Sequence, residues 1–286
     1  PGASMFGSYG GLTCFLSKRL TRESIWESLL RRHHYGTTGN RIFLDVRVFL
    51  NKPGISYFEN PIIGVNSTET TQMAIMGDII KTKQTKIKLR IEIITSSPIE
   101  KLEIRNGVKK IETYRPYKKE ELGNRYRVIW AGAEYRGRGR ETVWDGYATI
   151  KNNTIKSVSP INIYNHEKKI RKINSTNLKW EAITTGGFGG FDFILSNSEK
   201  GSLTISTNHV NITLPFSEIG FEEIRIEAGG LDRHLRFVRL PDKIENRHVV
   251  LERDIELESK RDNPIYVCVF QEDGHVAWSS PIYIFD

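Results

Sequence analysis

Cysteine is almost absent: Cys14 and Cys268 are the two in 286 residues. So few exclude a disulfide-stapled scaffold and a four-cysteine zinc site. Two lone thiols also fit a reducing, cytoplasmic compartment. Histidine is scarce at seven, and no His-x-His or His-Glu-x-x-His spacing occurs. No apolar run reaches the roughly eighteen residues of a membrane-spanning helix. No fixed-period repeat is present, and the opening at Pro1 shows no basic region followed by an apolar one, so no targeting segment is visible.

Hydrophobic residues make up 38%, aromatics 10% and charged residues 27% of the chain. That is a core-forming composition, neither disordered nor collagen-like. At roughly 100–200 residues per domain the length suits one large domain or two ordinary ones. Lys and Arg outnumber Asp and Glu by 42 to 34, a net charge of +8. Such a balance can mark a nucleic-acid partner. Here the cations alternate with acids, as in Glu100-Lys101-Leu102-Glu103-Ile104-Arg105. That is the pattern of solvated strand faces, and nucleic acid is disfavoured. Asn-x-Ser/Thr sequons at Asn66, Asn152, Asn174 and Asn211 matter only in a eukaryotic secretory chain.

Two regions differ in periodicity. Before residue 40 the sequence predicts one helix. Thr21 is a good N-cap, and Glu23 sits in the first turn. Ile25, Trp26, Leu29 and Leu30 make an apolar stripe at helical spacing. Gly36 is the expected left-handed terminator. So short an amphipathic helix cannot stand alone. Its stripe must pack on the rest of this chain or on a preceding domain.

From Arg41 the period becomes two. Residues 41–50 carry an aliphatic side chain at every even position, and the alternation returns at 86–94, 125–130, 203–214, 222–228, 248–257 and 265–270. Turn signals separate these runs: Asn106-Gly107, Lys151-Asn152-Asn153, Asp262-Asn263-Pro264 and Asp273-Gly274. Many short strands without interleaved helices predict a mainly β chain, an antiparallel β-sandwich preceded by one helix. Long loops are expected around 114–124 and 165–177.

No self-sufficient catalytic constellation is visible. Asp232-x-His234 would set two ligands on one strand face, and His33-His34 falls at a helix end. Neither makes a metal site without further ligands. Gly186-Gly187-Phe188-Gly189-Gly190 lacks the following helix a phosphate cradle needs, so it reads as a flexible hairpin loop. Ser8, Ser17 and Ser24 lack a nucleophile elbow. Arg136, Arg138 and Arg140, spaced by glycines, are anion-contact candidates, since guanidinium groups grip phosphate or carboxylate bidentately.

Several segments together resemble a known family. Pro1-Gly2-Ala3-Ser4, Gly7-Ser8-Tyr9-Gly10-Gly11-Leu12-Thr13, Leu20-Thr21-Arg22-Glu23-Ser24-Ile25-Trp26 and Arg31-Arg32-His33-His34-Tyr35-Gly36-Thr37-Thr38-Gly39 resemble the end of a PHP-type (polymerase and histidinol phosphatase) barrel. Ile104-Arg105-Asn106-Gly107, Val143-Trp144-Asp145-Gly146 and Ala277-Trp278-Ser279-Ser280-Pro281-Ile282-Tyr283 resemble its β-rich C-terminal extension. The branch is domain-of-unknown-function family 3604. The resemblance implies that residues 1–40 close an α/β barrel and that 41–286 form a sandwich, in one or two subdomains. It implies a metal-dependent hydrolase of phosphoester or related bonds, with zinc, manganese or iron held in a barrel preceding Pro1. This chain would then be catalytically incomplete, with no metal ligands of its own.

The site expected at the barrel junction comprises Ser8, Tyr9, Thr37, Thr38 and Arg41, which would offer hydroxyls and a guanidinium to a small anionic substrate. The alternative is a non-catalytic β-sandwich that binds carbohydrate or protein through Trp130, Trp144, Trp180 and Trp278, since sugar faces stack on exposed rings.

Overall fold

The alternation in residues 41–50 is a statement about two environments. In the strand Phe43–Tyr57, Leu44, Val46 and Val48 are fully buried, while Asp45 and Arg47 keep contact with water. The same alternation in Lys86–Ile94 buries Ile87, Leu89, Ile91 and Ile93. A computed structural model describes residues 10–63, 67–135, 141–163 and 169–286. It is mainly β, with one α-helix among the described residues. The chain divides into two compact units. A host unit holds residues 10–116 and Glu245–Asp286. An inserted unit holds Tyr117–Ile244.

The host unit contains a twelve-stranded sheet among the described residues. Its longest strand, Phe43–Tyr57, pairs with Lys86–Ile94, Thr68–Ile75 and Ile79–Lys81. The expected strand over 41–50 therefore continues seven residues past Leu50. Asn51-Lys52-Pro53-Gly54 interrupts the ladder without ending the strand. In the fold it is a register break between Phe49 and Gly54. Pro53 has no N–H for a ladder, and the Gln84 side chain accepts from the Asn51 and Lys52 amides instead. Asn106-Gly107 joins Ile99–Asn106 to Lys109–Tyr114 as the predicted hairpin, with Gly107 at φ +57°. Aliphatic side chains from these strands, from His248–Glu256 and from Asn263–Gln271 meet in one core.

The helix spans Arg22–Leu30, and the Thr21 hydroxyl accepts from the Ser24 amide at 3.3 Å. Its stop differs from expectation. Arg32, not Gly36, takes the left-handed conformation, at φ +60°. Its guanidinium offsets that strain by donating to the Leu30, Phe58 and Gly77 carbonyls. Gly36 instead lies in the strand His34–Thr37, between Leu12–Phe15 and Val276–Ser279.

The inserted unit packs two five-stranded sheets around an aromatic core. Its back sheet contains Ile155–Ile161, Phe188–Leu195, Arg125–Ala133, Leu231–Leu240 and Ile224–Glu227. Its front sheet contains Arg171–Lys172, Asn177–Trp180, Gly146–Lys151, Ser202–Thr207 and Asn211–Pro215. Trp130 from the back and Trp180 from the front stack with centroids 5.5 Å apart and planes within 4°. The run 203–214, expected as one strand, is a hairpin: the Thr207 hydroxyl accepts from the His209 and Val210 amides and reverses the chain.

The glycine cluster is only partly a loop. Gly186 turns at φ +90°, but Gly189 and Gly190 lie inside Phe188–Leu195. A Cβ on Gly190 would sit 2.1 Å from the Val128 carbonyl oxygen, and one on Gly189 would sit 2.8 Å from the Trp130 indole nitrogen. These glycines admit a neighbouring strand and a core ring.

Candidate functional site

The turn after His34–Thr37 brings several of the expected residues together. Thr37 is buried, and its hydroxyl donates to the Asn40 carbonyl at 2.8 Å and accepts from the Gly39 amide. It shapes the turn, and its one hydroxyl proton is committed to the Asn40 carbonyl. Thr38 faces outward. Its Oγ1 accepts from the Val276 amide and lies 3.0 Å from His275 Nδ1. When Nδ1 accepts the Thr38 proton, neutral His275 carries its own proton on Nε2.

Asn40 ties the rest together. Its Oδ1 accepts from the Arg41 amide and the Ser96 hydroxyl, and its Nδ2 donates to Gln271 Oε1 at 2.6 Å. Asp273 caps the opposing turn by accepting from the His275 amide. The Arg41 guanidinium is exposed and has no ion pair among the described residues.

Chemically this is a hydroxyl–imidazole pair beside one unpaired guanidinium. It can hold an anion by charge and directed donors. It lacks the third member of a nucleophilic triad, because Asp273 orients the His275 backbone and not its ring. Sequence reasoning passed over His275, Asp273 and Asn40. Asp273-Gly274 is legible as a turn, but the meeting of residues 38–41 with 271–275 is a long-range event that only strand pairing produces.

The other sequence candidates are placed as follows. His33 Nε2 lies 2.8 Å from Asp78 Oδ1, while Asp78 Oδ2 accepts from the Ile75 amide. Arg31 bridges to Glu69 and covers the Phe58 ring. These contacts anchor the helix end to the 75–78 turn. His34 meets Phe15 edge-on, and burial, then Arg32, lowers its pKa.

Asp232 and His234 do not share a strand face as expected. Asp232 sits at φ +58° in a β-bulge and pairs with Arg225. His234 is buried, its pKa is lowered by that burial, and Nδ1 donates to the Asp232 carbonyl. Among the described residues, no three or more His, Cys, Asp or Glu side chains gather to hold a metal ion. Ser8, Tyr9, Arg136, Arg138 and Arg140 lie outside the described residues.

The tryptophan platform is corrected at three of its four positions. Trp130, Trp144 and Trp180 are core residues, at most 1% exposed. Trp278 is 43% and Trp26 59% exposed. The sequence treats the five alike because indole is equally at home in a core.

Comparison with known proteins adds one finding. Residues 2–106 match the model of a family described as a protein of unknown function, DUF3604. The DUF3604 match takes in the helix, the 37–41 turn and the host strands as far as Ile99–Asn106. It does not reach the inserted unit or the 271–275 turn that supplies His275. No curated protein and no solved structure matches the chain.

Proposed function

We propose that this chain is the C-terminal part of a PHP-like, metal-dependent hydrolase of phosphoester or related bonds, and that it is catalytically incomplete by itself. The observation that carries this reading is the uncovered helix. Ser28 is its one buried residue, while Trp26, Leu29 and Leu30 are 59%, 43% and 57% exposed. A nine-residue helix draws its stability from a buried apolar face, and this stripe has no cover among the described residues. A barrel preceding the helix would supply that cover and would hold the zinc, manganese or iron. The DUF3604 match over residues 2–106 supports the reading by including the helix.

In this arrangement Thr38, with His275, and Arg41 face a small anionic substrate. Thr37 positions Thr38.

The test compares this chain with the full product of its gene, using p-nitrophenyl phosphate and added manganese. The full product turns over and this chain does not. In the full product, Thr38→Val and Arg41→Ala lower kcat without lowering the unfolding midpoint, and Trp26 becomes protected from acrylamide quenching. Stoichiometric metal and turnover in this chain alone, or Trp26 still fully quenchable in the full product, would overturn the proposal.

A further inference from the structure

The front sheet of the inserted unit has one face on the tryptophan core and the other open to water. Across that open face one row in register reads Arg171, Lys179, Tyr147, Ser206, Asn211. With strands about 4.8 Å apart, the row spans about 19 Å. Tyr147, at its centre, is 54% exposed, and the Lys179 ammonium lies 5.3 Å from its ring centroid. The next row along the strands holds only threonine and asparagine, and Lys151 stands one row beyond.

No outward strand position of this sheet carries Asp or Glu. Arg171, Lys179 and Lys151 have no ion-pair partner among the described residues. Every other described arginine of the unit is paired with a carboxylate, from Arg125 on Asp192 to Arg239 on Glu199. Among the described arginines of the unit, Arg171 alone lacks such a partner.

We propose that this face binds an acidic polysaccharide chain carrying about one carboxylate per sugar, a polyuronate. A pyranose C–H face stacks on the Tyr147 ring. Sugar hydroxyls exchange hydrogen bonds with Ser206, Asn211 and the threonine–asparagine row. The carboxylates meet Lys179, Arg171 and Lys151. Single-stranded nucleic acid needs a succession of stacking rings, and Tyr147 is the one aromatic at an outward strand position of this sheet among the described residues. The inference uses none of the residues of the hydrolase reading and is independent of it.

Native affinity electrophoresis of the whole chain tests it, with polygalacturonate in the gel and parallel gels of dextran, heparin and poly(U). Polygalacturonate retards the chain and dextran does not, and retardation falls as sodium chloride rises. Tyr147→Ala leaves the net charge untouched yet weakens binding about tenfold. Lys179→Gln weakens it as well, and both variants keep the parent's melting temperature, since both side chains lie on the open face. Absence of retardation overturns the proposal. So does a Tyr147→Ala variant that binds like the parent, or equal retardation by heparin or poly(U), which would be the generic pull of a basic protein.

Discussion

Asp192 shows how much one side chain can hold. Its register partner is Arg127, whose Nε and Nη2 reach the two carboxylate oxygens at 2.7 and 2.9 Å, and Arg125 Nε adds a third contact at 2.9 Å. Asp192 is 5% and Arg127 2% exposed. Burial raises the Asp192 pKa, but Arg127 and Arg125 outweigh it and the net shift is downward. Removing the carboxylate leaves buried cations uncompensated, so Asp192→Ala should cost about 3–5 kcal/mol in urea unfolding. A carboxyl depressed in the fold stabilises above its unfolded pKa of about 3.9 and loses that contribution as pH falls through the lower folded value. The parent's melting temperature should therefore drop below about pH 4, and Asp192→Asn should lose that part of the acid limb. An unchanged acid limb would show that the bridge is not coupled to folding. In the sequence Asp192 is one polar residue between two phenylalanines, and its cross-strand partner is sixty-five positions away.

At the scale of elements, the period-two runs were legible because alternation records one wet and one dry face. The helix start was legible because an N-cap is a local hydrogen bond. What misled were residues whose meaning is set by a neighbour. Gly189-Gly190 looks like a loop but is strand interior. A pair of variants separates these meanings. Gly190→Ala must displace the Val128 carbonyl and should destabilise by at least about 1–3 kcal/mol. Gly187→Ala meets nothing within 4 Å and should change stability by less than about 0.5 kcal/mol. Equal effects in chemical denaturation would place Gly190 in a loop after all.

At the scale of the molecule, the two units each have their own core. Tyr117–Ile244 is continuous in sequence and encloses Trp130, Trp144 and Trp180. Expressed alone, it should unfold in one cooperative transition, with tryptophan fluorescence resistant to acrylamide. Exposed, quenchable indoles in that fragment would mean that its core depends on the rest of the chain. Trp26 and Trp278, both in the host unit, should be the quenchable pair in this chain.

The sequence by itself determined the chemistry of each strand face, the helix N-terminus, the Asn106-Gly107 hairpin and the mainly β class. All of these depend on contacts within a few residues. Only the tertiary structure decided that Thr38 meets His275, that His33 meets Asp78, that three tryptophans are core, and that Tyr147 is left on a cationic open face. Each of those depends on which strand lies beside which. Backbone hydrogen bonding is nearly blind to side-chain identity, so strand order is settled by packing the whole core at once.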